Sequence, residues 1–169
     1  IGIATESLAD YPELVTLPCY EWQHVLVLPQ GHPLAASERV TLEQLAEEPL
    51  ITYHPSFTGR TRIDHAFAQK KLTPRIALEA IDSDVIKTYV RLGLGVGIVA
   101  EMAVRDDTNA DLVVRPMGHL FGTNIARVAF KRSAYLRNFV FKFAELLSDR
   151  LDRNLIAKAL SGQQSDYEL

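Results

Sequence analysis

The stretch Asp82–Glu101, "DSDVIKTYVRLGLGVGIVAE", decides the fold class. Asp82, Ser83 and Asp84 are helix-capping residues, and Val85 to Arg91 continue with apolar positions at helical spacing. The stretch therefore predicts a capped helix over 84–91, a glycine turn, and a strand over 96–100. Gly93 is placed to end the helix in a left-handed conformation, and the other glycines permit close packing. A dinucleotide-binding loop is excluded by order: a phosphate-binding glycine loop follows a strand and opens a helix, whereas this one follows a helix and opens a strand.

Working outward, strands are expected at 1–5, 24–28, 50–53 and 75–80, and in "DLVVRPM" and "NIARVAF". Helices are expected after Thr41 and after Thr58. The helix 135–147 carries Leu136, Phe139, Val140, Phe143, Leu146 and Leu147 on one apolar face. Strands alternating with helices indicate an α/β fold with a largely parallel sheet. The opening "IGIAT" reads as a buried strand with no earlier partner, so a fragment of a longer protein is expected.

The 169 residues are 47% hydrophobic, enough for a real core, with a net charge of -3 and a pI near 6.0. That balance is not the clustered basic excess of a DNA-reading surface. A single cysteine, Cys19, allows no intramolecular disulfide and suits a reducing cytoplasm. No apolar run is long enough to span a bilayer. His24, His32, His54, His65 and His119 show no metal-ligand spacing, and neither a Walker sequence nor a nucleophile elbow is present. No carboxylate pair stands out as catalytic, so no enzyme and no cofactor are expected.

The stretch Tyr53–Pro74, "YHPSFTGRTRIDHAFAQKKLTP", poses a different question. A helix expected from about Gly59 to Lys71 carries Arg60 and Arg62 in its first turn, where carboxylates are favoured. Two readings are open. In one, the free N–H groups of the helix start, the Thr58 hydroxyl and a close approach at Gly59 make an oxyanion site, to which Arg60 and Arg62 add positive potential. In the other, Arg60 pairs with Asp64 one turn on and Arg62 lies in solvent. Thr5, at the carboxyl end of the first strand, is a second ligand-site candidate that could face Thr58.

The segments "IGIATESL", "LVTLPCYEW", "HPLA", "PLITYHPSFTGRTRIDHAFAQKKLTPRI" and "DSDVIKTYVRLGLGVGIVAEMAV" resemble the effector-binding domain of LysR-type transcriptional regulators. Within that family they resemble the cysteine-biosynthesis branch, on "FTGR" and "DVIKTYVRLGLGVG". The resemblance implies two Rossmann-like subdomains joined by two crossover strands, like a periplasmic binding protein. Residues 1–20 and 122–152 would form an incomplete first subdomain, 21–121 the second, and 153–169 a C-terminal tail. It further implies a small-molecule effector, namely sulfate, an acetylserine-type inducer or a sulfated nucleotide, held in the cleft between subdomains. The ligand-binding positions it matches are Thr5 and Thr58, with Gly59, Arg60 and Thr61 in the same turn. It also implies DNA binding through an N-terminal domain outside this chain, a homo-oligomer, a cytoplasmic location and no membrane partner. The alternative is a solute-binding protein of periplasmic type for a small oxyanion.

Overall fold

The computed structural model describes residues 1–5, 11–105 and 110–162. The chain divides into two compact units, Ile1–Glu21 with Asn124–Leu169, and Trp22–Thr123. Two strands carry the chain across the division: β2 (Leu14–Pro29) outward, and β7 (Thr123–Lys131), which opens at the return.

The unit Trp22–Thr123 is built on a mixed sheet. Strand β3 (Pro49–Tyr53) lies between β4 (Arg75–Ala80) and β5 (Val96–Ala100) and is parallel to both. The outer half of β2 pairs antiparallel with β5 on one side and with β6 (Leu112–Pro116) on the other. The sheet is thus less parallel than its sequence suggests, because β2 enters from the other unit and runs against its neighbours.

Alternation along β2 sorts the core. Leu26 and Leu28 face a layer formed by α1 (Leu42–Glu47) and α2 (Thr58–Gln69), through Leu42, Leu45, Ile63 and Phe67. Val25 and Val27 face α3 (Ser83–Arg91), through Ile86 and Val90. The two layers follow from handedness. The crossing β3–α2–β4 moves to one side of β3 and β4–α3–β5 moves back past it, so right-handed crossovers put the two helices on opposite faces.

The ends of α3 match the residues that encode them. Asp82 accepts from Asp84 N at 2.6 Å. At the other end Gly93 has φ +74, Gly93 N donates to Val90 O at 2.9 Å, and Leu94 N donates to Tyr89 O at 3.1 Å. That is a Schellman ending, which needs a residue without a Cβ penalty. Gly97 serves packing: a Cβ there would lie 2.5 Å from Val27 Cγ2 and 2.8 Å from Val90 Cγ2. The absent side chain is what lets α3 approach the sheet.

In the other unit, β7 lies between β1 (Gly2–Thr5) and β2. Strand β1 is antiparallel to β7, with Thr5 opposite Ala126, so Thr5 does not end a parallel strand as its sequence context suggests. Nor is β1 buried, since Ile3 is 44% exposed. Past the one-turn helix α4 (Gly118–Phe121) that ends the unit Trp22–Thr123, helices α5 (Asn138–Leu147) and α6 (Arg153–Leu160) close a core of Leu17, Cys19, Val128, Phe130, Ala144, Leu151 and Ile156.

The apolar face of α5 is covered only in part, as its width and the expectation of an upstream segment imply, and the stretch expected as a tail opens as a helix. The buried line of α5 runs through Val140, Ala144 and Leu147, leaving Phe139, Phe143 and Leu146 at 65%, 46% and 87% exposure. The apolar arc is wider than the surface available to cover it. Residues from 153 onward do not begin as a tail. Asp152 caps α6 by accepting from Leu155 N at 2.7 Å, and Ile156 is wholly buried. The remainder of the expected tail, 163–169, lies outside the described residues.

Candidate functional site

The parallel strands β3, β4 and β5 end at one edge of the sheet, where ligands of open α/β folds bind. Both α2 and α3 begin at that edge, but their starts differ chemically. The start of α3 is occupied by Asp82, and an acidic Asp84 follows. The start of α2 has Phe57 at the capping position, with φ -91 and ψ 132 and no side-chain cap. The Phe57 side chain has no group that can accept from the helix; its carbonyl takes Arg60 N at 3.0 Å, and the Thr58 and Gly59 N–H groups receive no cap from it.

The expected cap therefore moves by one residue: Thr58 is the first helical residue rather than the residue before it. Its side chain lies outside the described residues. A tight turn precedes it, in which Phe57 N donates to His54 O at 3.0 Å and His54 Nδ1 and Ser56 Oγ share a hydrogen bond at 2.9 Å.

Gly59 is buried against two rings. A Cβ there would stand 3.1 Å from both His24 Nε2 and Trp22 Cη2. His24 is itself fully buried, edge-on to Trp22 at 4.9 Å and to Phe121 at 5.6 Å between ring centroids. Burial, with the Arg62 charge second, lowers the His24 pKa to about 4, while hydrogen bonding with the Gly59 backbone acts the other way. The imidazole is neutral at physiological pH.

Arg60 follows the pairing reading and goes further inward. Its Nε donates to Asp64 at 2.7 Å, and its Nη1 donates to Tyr53 O at 2.7 Å and to Glu79 at 2.8 Å. Only 6% of the residue is exposed. Burial opposes its charge, but hydrogen bonds and charges from Asp64 and Glu79 outweigh that and raise its pKa. Two carboxylates answer the charge that looked misplaced in the sequence. Arg62 does not lie in solvent: it is half-buried, and its Nη1 would be 3.5 Å from a Cβ at Gly122. Thr61 is exposed.

The first turn thus brings Thr58, Gly59, Arg60 and Thr61 together as consecutive residues of α2. Thr5 belongs to the other unit, half-buried at the end of β1. Sequence reasoning missed Tyr53. Its hydroxyl accepts from Ala100 N at 3.0 Å and shares a hydrogen bond with Ser83 Oγ at 2.8 Å, tying the ends of β3 and β5 to the start of α3. The available signal was an aromatic hydroxyl in the last position of a strand, just before the His-Pro turn. Among the described residues no group of three His, Cys, Asp or Glu side chains could hold a metal ion. No described helix is long and apolar enough to cross a membrane.

The chain is similar to known regulators over its whole length. It is 54% identical over 169 residues to the HTH-type transcriptional regulator CysB of Burkholderia cenocepacia, covering 100% of this chain and 54% of that protein. It is 46% identical over 160 residues to the regulator SsuR of the same organism, covering 95% of this chain and 52% of SsuR. With the regulator cbl of Escherichia coli it shares 44% identity over 172 residues, again covering 100% of this chain and 54% of the relative. It thus spans about half the length of these relatives.

Among solved structures, the cofactor-binding domain of the Cbl transcriptional regulator superposes with a TM-score of 0.86 at 44% identity, covering 94% of this chain and 70% of that one. A reduced form of OxyR from N. meningitidis, at 17% identity, shares the fold with a TM-score of 0.70, covering 88% of this chain and 69% of that one. The family model for the LysR substrate binding domain matches residues 1–152. With its doubly wound unit, its two crossings and this match, the chain belongs to the LysR substrate-binding domain family.

Proposed function

We propose that this chain is the ligand-sensing part of a transcriptional regulator of sulfur and cysteine metabolism, and that the start of α2 binds the anionic end of its effector. The observation that carries the reading is a twelve-residue helix whose uncapped first turn opens at the carboxyl edge of β3 and β5. Such a start offers N–H groups and a partial positive charge to an oxyanion. Thr58 adds a hydroxyl at that turn, and Thr5 is proposed separately as a ligand-binding residue of its own unit. The effector class is sulfate, an acetylserine-type inducer or a sulfated nucleotide, all of which present an oxyanion or carboxylate.

In this reading residues 1–20 with 122–152 and residues 21–121 act as the two subdomains. The effector favours one conformation of the regulator and shifts a cytoplasmic homo-oligomer between DNA-bound states. The names of the relatives, all transcriptional regulators, support this over the solute-binding alternative. DNA contact is assigned to a segment outside this chain, in keeping with the net charge of -3.

The test is fluorescence anisotropy of the full-length protein on a promoter of a sulfur-assimilation gene, with and without sulfate or N-acetylserine. Effector-dependent DNA binding is the expected result. Tight ligand binding by a protein with no affinity for any such promoter would favour the solute-binding alternative.

A further inference from the structure

Arg60 stands in the first turn of the proposed anion site, yet every hydrogen bond described for its guanidinium points into the protein. Nε reaches Asp64 within α2, and Nη1 reaches both Tyr53 O, at the end of β3, and Glu79, on β4. One side chain therefore joins the start of α2 to two strands at their carboxyl ends. We propose that Arg60 is a positioning residue of the effector site, clamping the first turn of α2 through Tyr53 and Glu79, rather than a direct ligand of the bound anion. The inference rests on the reading of the α2 start as that site.

Three observations argue for it. First, α2 has no side-chain cap, so its first turn needs another restraint if its N–H groups are to stay aimed at a ligand; a site held loosely by its supporting groups binds poorly. Second, the geometry suits only arginine. The Nε and Nη1 atoms stand apart on one rigid plane and reach Asp64 on one side and Tyr53 O and Glu79 on the other, whereas the three N–H groups of lysine radiate from a single atom on a flexible stem. Third, the cluster does not attract anions: one cation faces two carboxylates, Asp64 and Glu79, which leaves it net negative. Tyr53 extends the clamp, because its hydroxyl holds Ala100 N and Ser83.

The charge count gives the test a sign. Replacing Glu79 with glutamine removes a negative charge near an anion site, so electrostatics alone predicts tighter anion binding. The glutamine oxygen left for Arg60 is an uncharged, weaker acceptor, and the loosened clamp predicts weaker binding. The full-length protein, as wild type and as the Glu79→Gln and Arg60→Lys variants, is titrated with sulfate by calorimetry at fixed ionic strength. Thermal midpoints and amide exchange of residues 59–62 are measured in parallel.

The expected result is sulfate affinity lower by roughly three- to thirty-fold in both folded variants, with faster exchange in the first turn. Unchanged or tighter sulfate binding by Glu79→Gln, or lowered thermal stability with wild-type affinity in both variants, overturns the positioning role while leaving the site intact. A wild-type protein that binds neither sulfate nor N-acetylserine overturns the site and the clamp together.

Discussion

Acid should destabilise this protein through His24, and the size of the effect follows from its surroundings. The imidazole is fully buried, and its pKa is lowered from 6.5 to about 4, first by burial and second by the Arg62 charge. Above pH 6.5 the ring is neutral in folded and unfolded chains alike. Between 6.5 and 4 the unfolded chain takes up a proton that the folded one refuses, so the stability present above 6.5 is lost as pH falls through this window. At pH 4.5 the accumulated loss is roughly 2 to 3 kcal/mol, a large share of the roughly 5–15 kcal/mol that holds a domain together. The assay is urea unfolding from pH 7.5 to 4.5 of the wild type and of a His24→Gln variant. Hydrogen bonds from Lys87 and Arg91 hold the Asp84 and Asp111 carboxyls below their ordinary value, so those groups lose their contribution only at lower pH and cancel between the two proteins. The wild type should lose roughly 2 to 3 kcal/mol more than the variant across this range. Parallel pH profiles would refute the reasoning.

Three further outcomes follow from packing. Gly97→Ala puts a methyl group 2.5 Å from Val27 and 2.8 Å from Val90, and thermal or urea melts should show a loss of about 2 to 3 kcal/mol from overpacking between α3 and the sheet. Gly59→Ala meets His24 and Trp22 at 3.1 Å; part of its steric cost is offset by better helix propensity, leaving a net loss of about 1 kcal/mol, while displacement of the first turn should weaken sulfate binding in calorimetry. Replacing Phe139, Phe143 and Leu146 together with serine removes the exposed apolar side of α5 and should reduce self-association in sedimentation equilibrium; a wild-type chain that stays strictly monomeric at high concentration would contradict this.

Local chemistry was readable where it is written in neighbouring residues. The capping triplet at Asp82–Asp84, the left-handed Gly93 and the strand Val96–Ala100 all stand where their sequence places them, because each depends on contacts within a few positions. Thr41 likewise closes a capping box with Gln44. Strand direction was not readable in the same way. β1 and the outer part of β2 both run against their neighbours, and nothing within a strand records the direction of its partner. The buried side of α5 was legible only as a broad arc, since the line that is covered depends on what packs against it.

The site shows the same division. Arg60 in a first turn was a visible anomaly, and its i,i+4 partner Asp64 was visible too. Glu79 was not, because it lies on a different element and meets Arg60 only through the parallel pairing of β3 with β4. The exact start of α2 also escaped the sequence: a helix expected after Thr58 begins with it, and Phe57 holds the capping position.

The central claim is that the start of α2 holds the effector's anion, and Thr58→Ala tests it most directly. Since Phe57 rather than Thr58 occupies the capping position, the substitution should leave thermal stability nearly unchanged. On this account it removes a hydroxyl proposed to meet the ligand, while the helix N–H groups remain. Losing one hydrogen bond to a charged group costs about 1.5–3 kcal/mol, so calorimetric titration of the full-length protein should show affinity for sulfate or N-acetylserine falling by roughly ten- to a hundred-fold without vanishing. Wild-type affinity in the Thr58→Ala protein would contradict the account and leave the first turn of α2 as a structural feature alone.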